Sequence, residues 1–420
     1  MAATSDAGDA GGATFKIGLL GHGTVGAAFA VLLAERADAV AATTGLRPEL
    51  TGVLTRSSGD FEQILETSDL VVELMGGIEP AREYVLRAMR AGRHVVSANK
   101  QLLSQHGEEL WGCAREHGVQ LRIEGAVAGV VPVIRVLQES LAAAHIERIH
   151  GIVNGTTNYI LSEMARSGIS YVQALSQAQE LGYAEADPTD DVTGRDAAAK
   201  MAILARLAFS TPVHLEQVTY EGIEHITADD MAYAEQLGLG LKLIGTAERV
   251  DGGISVRVHP AFLYGQHPLA AVSGPFNAVT VESDAITEIT MSGPGAGGPQ
   301  TASAVLGDVV SAMIPPASGV GGEDVTAELR LVDDVKSAFY LHMEVADRPG
   351  VLAQIAELLG MQGASIKSVV QRGLGDNARL VMVLHPLLES RFYAAVRLIG
   401  QLEFMRAAPR AIRVIDEEFS

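Results

Sequence analysis

The segment FKIGLLGHGTVGAAFAVLLAE, residues 15 to 35, constrains this chain more than any other. It sets Gly21, Gly23 and Gly26 in a GxGxxG spacing between an apolar run of strand character and a run of helical character. Glycines at that spacing let the main chain turn sharply and approach a pyrophosphate seated on a helix N-terminus. The spacing alone is common, and a purely structural glycine turn is the alternative. The order downstream favours dinucleotide binding. FKIGLL, LTGVLT, LVVEL, HVVSA and QLRIEGAV read as short strands with amphipathic segments between several of them, the rhythm of a parallel sheet flanked by helices. A Rossmann-like α/β nucleotide domain is therefore expected over 14–132.

The strand in ELTGVLTRSS is expected to end near Thr55 and Arg56, where NAD-binding folds often carry an acidic residue for the ribose hydroxyls. Arg56 stands there instead and suits a 2′-phosphate, which favours NADP over NAD; a solvated surface arginine is the plainer reading. In HVVSANKQLL, Lys100 follows a strand on the side of the sheet where ligands of such folds gather, or else is a surface lysine after a turn.

With 31 Lys plus Arg against 51 Asp plus Glu, the net charge of −20 repels polyphosphate backbones and anionic membrane surfaces. Neither nucleic acid nor membrane is expected as a partner. Cys113 is the single cysteine, so no internal disulfide can form, and no apolar run has the roughly 18 residues that a spanning helix needs. Residues 1–13, small, polar and glycine-rich, lack the basic start and apolar centre of a signal peptide and read as a disordered tail of a soluble, cytoplasmic protein.

A second region, 133–318, mixes helical runs (YVQALSQAQELG, DAAAKMAILARLAF, DMAYAEQLGLGLKLIG) with strand-like ISVRVHP and NAVTV and reads as an α+β substrate and dimerisation domain. Within it, GYAEADPTDDVTGRDAAAKMAILARLAF passes from an acidic loop into a helix. Pro188 places the helix start near Asp191 to Thr193. Asp196 and Lys200 then fall one turn apart on one face. A surface ion pair is one reading. The apolar MAILARLAF that follows turns this face inward or into a cleft, where charged groups tend to have chemical tasks. Glu185, Asp187, Asp190 and Asp191 form either a solvated acidic loop or a hard-metal cage; Pro188 and the missing glycine of an EF-hand spacing weigh against the cage.

These motifs converge. GLLGHGTVG, VVELMGGIEPAREYVLRAMRAGRHVVSANKQLL, IEGAVAGVVPVI, GIVNGTTNYIL, LGYAEADPTDDVTGRDAAAK, NAVTV and GPGAGGPQTASAVLGDV occur in the order found in homoserine dehydrogenases, which the chain resembles from Phe15 onward. The resemblance implies NAD(P)H-dependent interconversion of L-aspartate 4-semialdehyde and L-homoserine, on the way to threonine, methionine and isoleucine. It implies cofactor contacts at Gly21, Gly23, Thr24, Val25, Gly26, Gly76, Gly77 and Lys100, with Gly293 in a loop of 293–313 that returns to the nucleotide domain. Substrate contacts are implied at Glu185, Asp191, Gly155, Thr156 and Tyr183, and catalytic roles for Asp196, Lys200 and Lys100. EGAVAGVV resembles the family's monovalent-cation loop, in which Glu124, Val127, Gly129 and Val131 offer mainly main-chain carbonyls to Na⁺; a buried strand end with a turn is the plainer reading. The segment between LTRSSGD and DLVVELMGG is shorter than in many of the family, so Arg56 is a looser match than Lys100.

IPPASGVGGEDVTAE, 314 to 328, is rich in glycine and proline, and a linker over 319–335 is expected there. Residues 336–420 read as strand, helix, strand, strand, helix, strand, a ferredoxin-like pattern. With Asp347 as helix cap and Pro349 in the opening turn of DRPGVL, this part resembles the ACT regulatory domain. That resemblance implies a homo-oligomer, dimer or tetramer, with a threonine effector or a purely dimerising role. The competing readings are another NADP-linked semialdehyde or imine reductase, which has no need of the Glu185, Asp191, Asp196 and Lys200 set, and a nucleotide and amino-acid sensor without turnover, which has no need of both lysines.

Overall fold

A computed structural model describes residues 13–295, 297–314, 328–372 and 378–415. The tail expected over 1–13 lies outside them except for Ala13, and residues 319–327 of the linker expected over 319–335 lie outside them too.

In chain order the first elements are β1 (Ala13–Leu20), α1 (Thr24–Thr44), β2 (Leu46–Leu54), α2 (Phe61–Thr67), β3 (Leu70–Glu73), α3 (Ala81–Arg90), β4 (His94–Ser97), α4 (Lys100–Glu116) and β5 (Leu121–Arg122). A 3₁₀ turn at Glu124–Ala126 and the short α5 (Val133–Arg135) follow. Then come β6 (Ile146–Ile152), α6 (Gly155–Ser167), α7 (Tyr171–Glu180), α8 (Thr189–Val192), α9 (Arg195–Phe209), β7 (Thr219–Tyr220), α10 (Ala228–Gln236), β8 (Leu239–Val250), β9 (Gly253–Tyr264), β10 (Phe276–Ser283), β11 (Thr287–Pro294) and α11 (Gly298–Met313). The chain closes with β12 (Lys336–Val345), α12 (Val351–Met361), β13 (Ile366–Arg372), β14 (Ala378–Leu388), α13 (Glu389–Ile399) and β15 (Arg410–Ile415).

Two units result, the first from the N-terminal part to Ala142 with the segment that begins at Gly293, the second from the remainder. In the first, five parallel strands lie in the order β2-β1-β3-β4-β5. This is the Rossmann-like α/β sheet. Ile17, Leu19, Phe29, Leu70, Val72 and Val96 share one core with Val305 and Val309 of α11. Each such side chain contributes roughly 1.5–3 kcal/mol by leaving water, so this later helix is an integral layer of the nucleotide fold. QLRIEGAV is strand only over Leu121–Arg122, because the chain turns into the 3₁₀ segment at Glu124.

The second unit is built on one long mixed sheet in the order β11-β10-β6-β8-β9-β15-β12-β14-β13, with β7 also paired to β9. Its C-terminal part runs β12, α12, β13, β14, α13, β15, as the sequence pattern predicts, over a core that includes stacked Phe339 and Phe392 rings, 3.6 Å apart. Parallel pairing of Ala261–Leu263 with Arg413–Ile415 makes this ferredoxin-like sheet continuous with that of the preceding region. Arg413 fixes the seam: it donates to both Glu389 oxygens at 2.8 and 2.7 Å and to Glu221 at 3.1 Å.

Three local expectations are corrected. DMAYAEQLGLGLKLIG is not one helix: α10 ends at Gln236, Gly238 adopts φ 70°, and LGLKLIG continues as the buried strand β8. The helix expected from about Asp191 is two, since Gly194 at φ 86° breaks α8 from α9. Asp347 does not cap α12; it accepts from Gln371 Nε2 at 2.9 Å, Gly350 in a left-handed conformation stands at the N-cap, and Pro349 precedes the helix.

Candidate active site

In the second unit, Gly194 turns the chain so that α9 begins at Arg195 and carries Asp196 in its first turn. The Asp196 side chain is 2% exposed and that of Lys200 13%. Lys200 Nζ lies 2.7 Å from Asp196 Oδ2 and donates to the Val153 carbonyl, also at 2.7 Å. Asn154 Nδ2 donates to the same Asp196 oxygen at 2.8 Å and to Asp191 Oδ1 at 2.7 Å. Asn154 Oδ1 accepts from Thr157 N–H and caps α6. Asp191, Asp196 and Lys200 therefore meet at the α6 N-terminus, where Gly155 and Thr156 begin the helix. Gly155 has no room for a side chain, since a Cβ would stand 2.7 Å from the Pro275 carbonyl oxygen.

Thr156 Oγ1 donates to the Tyr183 carbonyl at 2.7 Å, and the exposed Tyr183 ring tilts against Tyr159 with centroids 4.8 Å apart. Glu185 is exposed. Asp187 accepts from the Thr189 hydroxyl and N–H, bonds that lower its pKa, and Asp190 pairs with Arg195 at 3.3 Å. The acidic loop thus spends two of its carboxylates on its own turn. No group of three or more His, Cys, Asp or Glu side chains among the described residues is arranged to hold a metal ion.

In the first unit, Gly21 adopts φ 96°, and a Cβ there would stand 2.5 Å from the Leu74 carbonyl oxygen. A Cβ on Gly26 would stand 2.2 Å from the Gly21 carbonyl oxygen, so the turn and the start of α1 are in contact. Gly23, the N-cap of α1, has no side-chain cap and open space where a Cβ would project. Thr24 and Val25 open the helix, and Thr24 packs under Gly298 of α11. Gly76 and Gly77, both near φ 75°, also face open space. Arg56 is exposed in the turn after β2. Gly293 is buried between Val130 and Val131.

Lys100 is the first residue of α4, whose N-cap Asn99 accepts from Leu102 N–H. Asn99 Nδ2 donates to the Gly77 carbonyl at 2.6 Å and to Glu73 at 3.4 Å, while Ser97 Oγ and Met75 N–H donate to Glu73 at 2.7 and 2.8 Å. Glu73 is fully buried at the end of β3, and burial raises its pKa. It fastens the Gly76–Gly77 loop to the start of the Lys100 helix.

Both Glu124 carboxylate oxygens accept main-chain N–H groups, from Ile134 and Arg135, and its own N–H donates to Asp308. Burial raises Glu124 to about 7 and Asp308 to about 6. Val127, Gly129 and Val131 are buried, and Ala128 and Gly129 turn left-handed at φ 58° and 64°. A Cβ on Gly129 would stand 2.3 Å from the Gly295 carbonyl oxygen.

Residues 132–310 match the family model "Homoserine dehydrogenase", residues 21–124 match "Homoserine dehydrogenase, NAD binding domain", and residues 340–404 match "ACT domain". A homoserine dehydrogenase of Corynebacterium glutamicum is 42% identical, with 96% of each chain covered. The chain belongs to the homoserine dehydrogenase family. Among solved homoserine dehydrogenases, one from Thiobacillus denitrificans superposes with a TM-score of 0.92 at 37% identity, covering 96% of this chain and 98% of that one. A hyperthermophilic archaeal homoserine dehydrogenase in complex with NADPH superposes with a TM-score of 0.62 at 26% identity, covering 71% and 97%. Homoserine dehydrogenases are NAD(P)-dependent oxidoreductases acting on a CH–OH group, and this chain combines that catalytic part with an ACT domain.

Against this family background, Glu73, Asn99 and Asn154 are buried polar residues that sequence reasoning did not single out. Glu73 left a signal, a lone carboxylate in the apolar run LVVEL. Asn99 and Asn154 left only the weaker one of an asparagine just before a helical pattern.

Proposed function

We propose that Lys200 is the proton donor when L-aspartate 4-semialdehyde is reduced to L-homoserine and the proton acceptor in the reverse direction. The observation that carries this is the fixed grip on its ammonium group. An ammonium has three N–H donors, and Asp196 and the Val153 carbonyl take two at 2.7 Å. The third serves the substrate oxygen. As that oxygen becomes an alkoxide, a donor already oriented stabilises the charge without reorganising, which is a large catalytic term. Asp196 orients Lys200. Asp191 receives the substrate ammonium, and Glu185, Gly155, Thr156 and Tyr183 complete the substrate contacts.

The glycine turn supports nicotinamide dinucleotide binding. Open space at Gly23, Gly76 and Gly77, beside a helix start without a side-chain cap, suits a phosphate bridge. A bound reduced nicotinamide supplies the hydride. Gly21, Thr24, Val25, Gly26 and Gly293 shape that cradle, Lys100 assists at the nicotinamide edge, and Arg56 favours NADP over NAD through a 2′-phosphate. The 124–131 loop suits a monovalent cation, Na⁺, held by carbonyls of Glu124, Val127, Gly129 and Val131, because the Glu124 carboxylate is already spent on two N–H groups.

In this reading the nucleotide domain spans 14–132 with 293–313, the substrate and dimerisation domain 133–318, and the ACT domain 336–420 after a linker over 319–335. The enzyme is a cytoplasmic homo-oligomer, dimer or tetramer, and its ACT domain takes threonine as effector. Exposed Leu352, Met361 and Val369 on that domain support association. No helix among the described residues is long and apolar enough to cross a membrane. Absorbance at 340 nm with L-homoserine and either NAD or NADP tests the reading. Homoserine-dependent reduction, faster with NADP, is expected; no reduction with either refutes it. Equal rates across a threonine titration would argue against that effector.

A further inference from the structure

We infer that Asn154 is a positioning residue: through one side-chain amide it sets the Asp196–Lys200 pair and the Asp191 carboxylate in a single arrangement. This rests on the roles given above to Lys200 and Asp191. Asn154 is 4% exposed. Its Oδ1 accepts from Thr157 N–H at 2.9 Å and from Thr157 Oγ1 at 3.0 Å, as the N-cap of α6. That contact fixes the direction of the amide. A flipped amide would set Nδ2 against the Thr157 N–H and Oδ1 against two carboxylates, repulsive at both ends. The two N–H groups of Nδ2 therefore point to Asp191 Oδ1 and Asp196 Oδ2, at 2.7 and 2.8 Å.

The two carboxylates belong to different helices, α8 and α9, with left-handed Gly194 between them. Bonded to one nitrogen, they are close neighbours, and two neighbouring carboxylates without donors tend to share a proton. An amide stabilises both as anions and carries no charge of its own. A lysine or arginine here would neutralise Asp191, which is needed for the substrate ammonium. An aspartate would add a third anion. Asparagine lets Asp191 remain a cation acceptor while Asp196 remains the partner of Lys200. The preceding residue completes the grip, since the Val153 carbonyl accepts from Lys200 Nζ. Residues 153 and 154 thus hold both members of the pair.

The test uses Asn154→Ser and Asn154→Asp in the full chain, since serine and aspartate both cap helices well and spare the start of α6. Homoserine oxidation is measured across pH beside wild type and Lys200→Met, with the KM for homoserine and for cofactor and a melting curve for each. Asn154→Ser is expected to lower kcat at least 10-fold and raise the homoserine KM several-fold, with cofactor KM within 2-fold. Asn154→Asp keeps the cap but sets a third carboxyl against those of Asp191 and Asp196, so that protons are shared among the three, and its oxidation profile is expected to differ from wild type in its pH dependence. A merely structural residue would lower the melting temperature and leave both profile and KM unmoved. An Asn154→Ser enzyme with kcat, homoserine KM and pH profile of wild type overturns the assignment. If Asn154→Ser does not fold, an Asn154→Asp profile identical to wild type does the same. If Lys200→Met turns over normally, the underlying reading fails; if only Lys200→Met is impaired, the failure is confined to Asn154.

Discussion

Lys200 Nζ stands 2.7 Å from Asp196 Oδ2, one turn earlier on the same helix, and both side chains are largely out of solvent. An exposed pair at this spacing stabilises a helix by about 0.2–0.5 kcal/mol, whereas withdrawing two charges from water costs several kcal/mol per ion. The pair is tolerable here because the Val153 carbonyl and the Asn154 amide add hydrogen bonds to it. Apolar residues of similar volume would fill the same space at less cost. The arrangement is understood through what the ammonium does.

The glycines of the turn separate binding from folding. Gly21→Ala forces a side chain into φ 96° and onto the Leu74 carbonyl, and is expected to cost about 2–4 kcal/mol of stability in denaturant unfolding. Gly23→Ala meets open space and ordinary backbone angles. It is expected to leave the melting temperature in place and to raise the cofactor KM on the order of tenfold, by blocking close approach of the phosphates. Equal cofactor KM in Gly23→Ala and wild type would contradict a pyrophosphate seat there.

Arg56 is exposed beyond the end of β2. If it pairs with a 2′-phosphate, Arg56→Ala raises the KM for NADP on the order of tenfold and leaves that for NAD within twofold. Steady-state rates with each cofactor read this directly, and an equal change for both would remove the arginine from the account of preference.

Lys242 on β8 is 5% exposed, and its ammonium is held by Asn158 Oδ1 at 3.1 Å and the Val272 carbonyl at 2.5 Å. Burial lowers its pKa from 10.5 to about 8. Between those values the unfolded chain holds a proton that the folded chain has released. The stability linked to this group is therefore complete above 10.5 and is lost as pH falls through 8. Relative to Lys242→Met, wild type is expected to gain about 2 kcal/mol between roughly pH 7 and 9.5 in urea unfolding. A constant difference across that range would mean that the lysine keeps its ordinary affinity for protons.

Much of this architecture could be read from local pattern. The glycine turn and the alternation of short strands with helices specify the parallel sheet, because each strand of such a sheet is an apolar run between turn signals. The Asp196–Lys200 pair was legible because helical spacing fixes which residues share a face. The split at Gly238 also left a local signal, since Leu239, Leu241 and Leu243 alternate with Gly240 and Lys242 at strand period and Gly238 turns left-handed where α10 ends. The Asn154 bridge joins residues 37 and 42 positions apart, and the β9–β15 seam joins Ala261 to Arg413; no local period encodes such contacts. Asp347 failed as a cap because a glycine three residues on could take the left-handed turn at the helix start.

In the proposed reaction Lys200 moves the proton. Homoserine oxidation by Lys200→Met, followed at 340 nm beside wild type with cofactor binding measured by nucleotide fluorescence, tests it most directly. Loss of a positioned acid and base removes roughly 10²–10⁴-fold in rate, so kcat is expected to fall at least 100-fold with cofactor affinity unchanged. A Lys200→Met enzyme that binds cofactor normally and keeps the wild-type kcat would contradict the account.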